Sequence, residues 1–211
     1  MRHYLCAFLV CVPSLAVATP EADVRATFDR YRKAAVHRDG SAASLEVDEN
    51  TVRYYGTLRT TALVAPDAHA LPIVDKIIVL RARAEMTPDE LSSLDGRAFV
   101  AHALSRGWIV TSQLARASLG TIRVIGDGAE AQLLVGKVAA PTPFSFRREK
   151  GKWRVDLTAF NAASGAALSA LATGRKLSED ELALRMLTEL LGHPAPESVW
   201  RPMIPSAPRP R

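Results

Sequence analysis

Cysteine is almost missing from this chain: Cys6 and Cys11 are the only two in 211 residues. Both lie in a stretch laid out like a secretory signal, with Arg2 at its start, an apolar run from Leu5 to Ala18, and the small-x-small triplet Ala16-Val17-Ala18 before Thr19. Cleavage before Thr19 is therefore expected, with export to the periplasm or beyond. It leaves a mature chain without a thiol, which excludes disulfides, thiolate metal sites and cysteine catalysis, so stability rests on burial. The bulky Val10 before Cys11 does not fit a lipid-attachment site. Long apolar runs are also lacking. Leu5–Ala18 is too short to span a bilayer comfortably, and no stable span is expected in the mature chain.

Several chemical signatures are absent as well. His37, His69, His102 and His193 stand far apart, with no His-Glu-x-x-His spacing, so no metal or other cofactor is expected. No serine sits in a Gly-x-Ser-x-Gly elbow, and no helix follows Gly126-Asp127-Gly128 to make it a phosphate loop. The net charge is +5, but acids are interleaved with the bases nearly everywhere. The one basic cluster, Arg147, Arg148, Lys150, Lys152 and Arg154, surrounds a turn, which reads as a solvated hairpin and not as a nucleic-acid surface.

What is present is a strong change of period. Up to Ser105 the chain reads helical. Val24, Phe28, Tyr31 and Ala35 make the apolar stripe of a first helix, Glu21 to about His37, which Asp39-Gly40 stops. A second helix runs from about Asp48 to Val64 and a third from Pro72 to Glu85, with Ile73, Ile77, Leu80 and Ala84 inward and Arg81 and Arg83 elsewhere. Thr87-Pro88-Asp89-Glu90 is a capping box opening a short helix, and another covers Arg97 to Ser105. From Leu119 to Phe160 apolar residues recur at every second position. Four strands follow, Leu119–Ile125, Ala129–Val138, Pro143–Glu149 and Lys152–Phe160, and links this short require antiparallel pairing. Phe144 and Phe146 face Trp153, Val155 and Leu157 as the floor for the first helix. Ala162–Thr173 and Glu179–Leu191, the latter opened by a Ser178-to-Glu181 capping box, are C-terminal helices. Leu182, Met186, Leu187 and Leu190 line one side of the last one. Six prolines between Pro194 and Pro210 make the end an extended tail.

The expected fold is α+β: N-terminal helices on one face of a curved four-stranded antiparallel meander, with extra C-terminal helices. The units are a signal peptide (1–18), a cone-like domain (19–160), a helical extension (161–192) and the proline-rich tail (193–211).

Two landmarks carry a resemblance over about residues 20 to 160. One is the opening helix Val24-Arg25-Ala26-Thr27-Phe28-Asp29-Arg30-Tyr31-Arg32-Lys33-Ala34-Ala35 with its Arg38-Asp39-Gly40 stop. The other is the closing pair from Phe146 through Lys150-Gly151-Lys152-Trp153 to Leu157. Together they resemble the nuclear transport factor 2-like superfamily, with its SnoaL-like cyclases and ketosteroid isomerases. The resemblance implies long helices in the concave face of a curved sheet around an apolar, cone-shaped pocket, and a homodimer through the outer sheet face unless the last helix covers it. It also implies that Tyr31 stands where the isomerases carry an oxyanion-hole tyrosine. The chain departs from the family between Pro72 and Ser105, where helices replace a strand pair.

Tyr31 thus has two readings: a donor to a developing enolate, or a member of the apolar stripe. The first needs a carboxylate base opposite, where Asp48-Glu49 already suits a helix start. Asp156 is either a ligand group or the partner of a basic neighbour such as Arg147. Of Tyr54 and Tyr55, adjacent on a helix, one belongs to the core. The leading expectation is a non-catalytic binding protein, taking an apolar small molecule or a protein partner, with Tyr31, Tyr55, Trp153 and Asp156 as ligand-contacting candidates. The alternative is an isomerase- or cyclase-like enzyme using Tyr31.

Overall fold

The computed structural model describes residues 19–109 and 114–204. The segment expected to be a signal peptide, with both cysteines, and the last three prolines lie outside the described residues. Among the described residues eight helices and one antiparallel sheet make an α+β fold.

Helix α1 (Pro20–Val36) starts as its sequence dictates. The Thr19 hydroxyl accepts from the Ala22 N–H, Pro20 occupies the first turn, and Glu21 and Asp23 face the positive end of the dipole. Val24, Phe28, Tyr31 and Ala35 are all buried. Asp39-Gly40 does more than stop α1. The Asp39 carboxylate accepts from the Ala42 N–H at 3.0 Å and opens a short helix, α2 (Gly40–Leu45), that the residue pattern alone did not reveal. Helix α3 (Glu49–Val64) follows, capped by Asp48, then α4 (Ile73–Glu85), α5 (Pro88–Ser93) with its Thr87–Glu90 capping box, and α6 (Gly96–Ser105).

The inward face of α4 differs from the expected stripe. Arg81 is buried, whereas Ile77 and Ala84 are only half-buried. Its guanidinium is neutralised one turn on by Glu85 at 2.5 Å and lies over the Trp108 ring, 5.4 Å from the centroid. A buried charge is tolerated on those terms. Arg83, half-buried, donates to the carbonyls of Ala62, Thr61, Ala65 and Val199, tying the chain end to α3.

The sheet runs β1 (Ala117–Ile125), β2 (Gly128–Val135), β4 (Phe144–Glu149), β5 (Lys152–Asp156), with the two-residue β3 (Val138–Ala139) folding back onto β2. The second strand therefore ends at Val135, not Val138, because Gly136 in the left-handed region turns the chain. A bulge between Leu119 and Ile122 bends β1, and Arg25 from α1 donates to the carbonyls of Leu119 and Gly120 there, both at 2.6 Å. Curvature and helix are thus joined. Phe28 meets Phe144 edge-on at 5.3 Å, Tyr31 lies 6.2 Å from Phe144, and Phe146 and Trp153 are buried beside them. The aromatic side of the hairpin is the floor under α1. The opposite side of the sheet carries Arg123, Glu130, Ser145 and Arg147.

The last strand ends at Asp156, four residues before the expected Phe160. The Asp156 carboxylate accepts from the Thr158 N–H at 2.9 Å, and the Leu157 N–H donates to Thr51 Oγ1 at 3.0 Å instead of continuing the ladder. Both interactions start α7 (Leu157–Gly174), which absorbs Leu157–Phe160. Helix α8 (Glu179–Leu191) begins at its capping box and ends at Gly192 in the left-handed region. It packs on α4 and α7. A 3-10 turn (Glu197–Trp200) then docks the tail: Val199 is buried and the Trp200 ring stacks on His69 at 4.0 Å.

Candidate functional site

The packing of α7 and α8 against α4 leaves a partly open apolar hollow of about 300 Å3. Val74, Ile77 and Ile78 from α4, Phe160 and Leu168 from α7, and Met186 and Leu190 from α8 form its walls, with Trp108 and Ile109 closing one end. Its volume falls at the small end of ligand sites, and its lining has their usual character, largely apolar with few polar groups. Leu190, expected inside the α8 stripe, is instead 47% exposed at the rim. Asn161 and Tyr55 sit together at the floor of the hollow, and Glu189 lies at the rim.

That floor is built on the adjacent tyrosines of α3. At 3.6 residues per turn, neighbours project about 100° apart, so Tyr55 points into the core, fully buried, while Tyr54 turns toward α4 and is half-buried. Asn161, buried on α7, donates from Nδ2 to the Tyr55 hydroxyl at 3.4 Å. The Tyr54 hydroxyl donates to the Asp75 carboxylate in the first turn of α4. Burial pushes the Tyr55 phenol up to about 12, so it stays protonated and able to donate throughout the physiological range. The Tyr54 phenol is raised too, by burial first and then by Asp75. Carboxylates in the first turn of a helix are favoured in the charged form. At Asp75 burial outweighs that and the Tyr54 donor, and the carboxyl lies above its ordinary value.

Asp75 and Tyr54 open on a second cleft of about 410 Å3 between α4 and α7, and Val74 and Asn161 line both it and the apolar hollow. Among the described residues the only carboxylate lining the hollow is the exposed Glu189. The hollow can therefore shelter an apolar body beside the Asn161 amide, with the fully buried Tyr55 behind it.

A raised carboxylate makes a testable statement about stability. Asp75 contributes stability that is fully present below the unfolded carboxylate value, roughly 4, and is lost as pH rises through the higher folded value. Asparagine keeps an acceptor for Tyr54 and removes the charge. Chemical denaturation of Asp75→Asn and wild type from pH 4 to 8 is expected to show the difference moving in the variant's favour as pH rises. A difference independent of pH would contradict this.

The candidates taken from the sequence are spread over three places. Tyr55 lines the hollow. Tyr31, 1% exposed, and Trp153, 4% exposed, lie in the core between α1 and the sheet, and neither lines the hollow or the second cleft. Burial raises the Tyr31 phenol, with no carboxylate hydrogen-bonded to it among the described residues. Asp156 caps α7 and stands 3.7 Å from Arg147. Asp48, weighed as a base, is fully buried as the cap of α3, accepting from the Thr51 N–H at 2.8 Å with Arg147 Nε 3.4 Å from its other oxygen. Glu49 pairs with Arg97. Asp75, Asn161 and Trp108 had not been singled out. Only Asn161 left a trace in the sequence, as the one amide in the alanine-rich run of α7.

Among the described residues no group of three or more His, Cys, Asp or Glu is arranged to hold a metal ion, and no helix is long and apolar enough to cross a membrane. Compared with protein-family models, with the curated proteins and with the solved structures, the chain has no match.

Proposed function

We propose that this chain is an exported, non-catalytic binding protein, a helix-rich variant on the nuclear transport factor 2-like plan, whose ligand is an apolar small molecule held between α4, α7 and α8. The observation that carries it is the apolar hollow with the Asn161–Tyr55 pair at its floor. The space between α1 and the sheet, where the superfamily's pocket is expected, is packed with Phe28, Tyr31, Phe144, Phe146 and Trp153. The binding function moves to the C-terminal helices, which here are part of the ligand site instead of an appendage. An amide backed by a buried phenol supplies no acid–base pair at a reacting atom, which favours holding over turnover.

The test uses N-phenyl-1-naphthylamine, an apolar fluorophore that brightens on leaving water. The wild type is expected to give a saturable enhancement. Ser164→Trp, which fills the hollow from α7, is expected to weaken it more than about tenfold, since steric loss of an apolar contact surface of this size is worth over 1.4 kcal/mol. Its melting temperature serves as the folding control. Failure of the wild type to bind, or undiminished binding by Ser164→Trp, would refute the proposal.

A further inference from the structure

A cationic cleft of about 400 Å3, lined by Arg38, Arg81, Arg106 and Glu85, lies beside the hollow, and Leu190 lines both. Three guanidinium groups face a single carboxylate. Glu85 is already engaged by Arg81 at 2.5 Å, by the Trp108 indole N–H at 3.3 Å and by Arg106 at 3.5 Å. Trp108 is the partition: its ring lines the hollow, while its N–H donates into the cleft. Arg38 and Arg106 are exposed, and Arg38 pairs with no carboxylate among the described residues. Its guanidinium lies beside Gly107, within 4 Å of where a Cβ would stand, and Gly107 lines the hollow.

Arg38 also ends α1. The Arg38 N–H bonds to the Ala35 carbonyl and the Asp39 N–H to the Ala34 carbonyl, a Schellman ending to α1. Its left-handed residue is normally glycine, but Arg38 occupies it at φ 57°. A left-handed arginine costs stability that glycine would not. Lys150 and Lys176 take the same conformation at turns elsewhere, so it is the position of the Arg38 guanidinium beside Gly107, not its backbone, that ties it to the hollow.

From this arrangement we infer that the ligand is a single-chain anionic amphiphile, its tail in the hollow and its carboxylate or phosphate head at Arg38 and Arg106. The inference rests on the hollow being a ligand site. A methylene takes up about as much room as a water molecule, some 30 Å3, so the hollow holds roughly ten carbons. Cation-lined clefts beside low-dielectric walls concentrate anions, and guanidinium forks match both head groups. Glu189, across the rim on α8, is the one opposing charge lining the hollow, and it is solvated.

Isothermal titration of decanoate, decyl phosphate, decanol and decyltrimethylammonium separates the contributions. One of the anions is expected to bind at least about tenfold more tightly than decanol, the size of a charge-assisted hydrogen bond, and the cation most weakly. The tighter of the two anions identifies the head. Arg38→Gly is expected to lower the anion's affinity about tenfold and decanol's far less, while its melting temperature holds or rises, which no unfolding defect would produce. Arg106→Gln moves affinity in the same direction. Equal affinity for decanol and both anions, or an Arg38→Gly protein that binds the anion as wild type does, overturns the anionic head while leaving the hollow as a site. If none of the four compounds binds while N-phenyl-1-naphthylamine does, the amphiphile falls and the hollow stands; if none of the five binds, both proposals fall.

Discussion

Gly40→Ala is expected to lose about 3 kcal/mol of stability, the upper part of the range for forced overpacking. A Cβ at Gly40 would stand 1.9 Å from the Ala101 carbonyl oxygen and 2.3 Å from Ser105 Oγ. Ser105 can rotate away; the carbonyl is helix backbone and cannot. Either α2 lifts from α6 or α6 shifts, and α6 carries Phe99 and Leu104 in the core. The Gly40 N–H also loses its bond to Ser105 Oγ. Urea denaturation measures the loss, with Gly165→Ala as the control. There a Cβ meets only Val74 Cγ2 at an ordinary 3.8 Å, and a helix interior gains about 0.5–1 kcal/mol from the change. A Gly40→Ala protein as stable as its Gly165→Ala counterpart would show that α2 and α6 are not in this close contact in solution.

Phe144→Ala is the second large effect, an expected loss of about 3–5 kcal/mol and a melting temperature lower by roughly 10 °C for a chain of this size. Phe144 is 4% exposed and is the residue on which the aromatic layer converges, against Phe28, Tyr31 and Phe146. Removing it leaves a cavity walled by helix on one side and hydrogen-bonded sheet on the other, neither free to collapse. A double-mutant cycle with Phe28→Ala should return a coupling of about 0.5–1.5 kcal/mol for the edge-on pair. A loss below about 1 kcal/mol in Phe144→Ala would mean that α1 does not rest on this hairpin.

The two substitutions differ in how far the sequence foretells them. Phe144 announces itself, since it alternates with Phe146 opposite Trp153 and Val155, and a period of two marks a half-buried strand. Gly40 does not. After Asp39 it reads as a helix stop, and only the approach of α6, sixty residues on, turns it into a contact that excludes a methyl group. Asp156 and Leu157 show the same limit. Alternation continues through Leu157, so the strand appears to run on, but the Asp156 cap and the Thr51 hydroxyl convert it into the start of α7. Thr51 is 106 residues away from the N–H it accepts.

The functional residues were less legible than the fold for one reason. Tyr31 and Tyr55 were picked out by helical stripe and position, and a stripe says only that a side chain faces inward. It does not say whether the inside is filled or hollow. Tyr31 faces a packed layer and Tyr55 a cavity, a distinction made by α7 and α8 as they close over α4. Arg81 was read as outward because arginine usually is; Glu85 and Trp108 together make its burial tolerable.

The order of amino acids by itself determined the helices with their capping boxes, the antiparallel meander and the aromatic face on which the first helix lies. Those follow from periodicity, turn residues and short links, which act between near neighbours in the chain. Tertiary structure alone decided where empty space remains, that Asp75 meets Tyr54 and Asn161 meets Tyr55, and that three arginines gather at one rim. Such meetings join residues on separate helices, and their relative position is set by how whole faces pack rather than by any spacing along the chain.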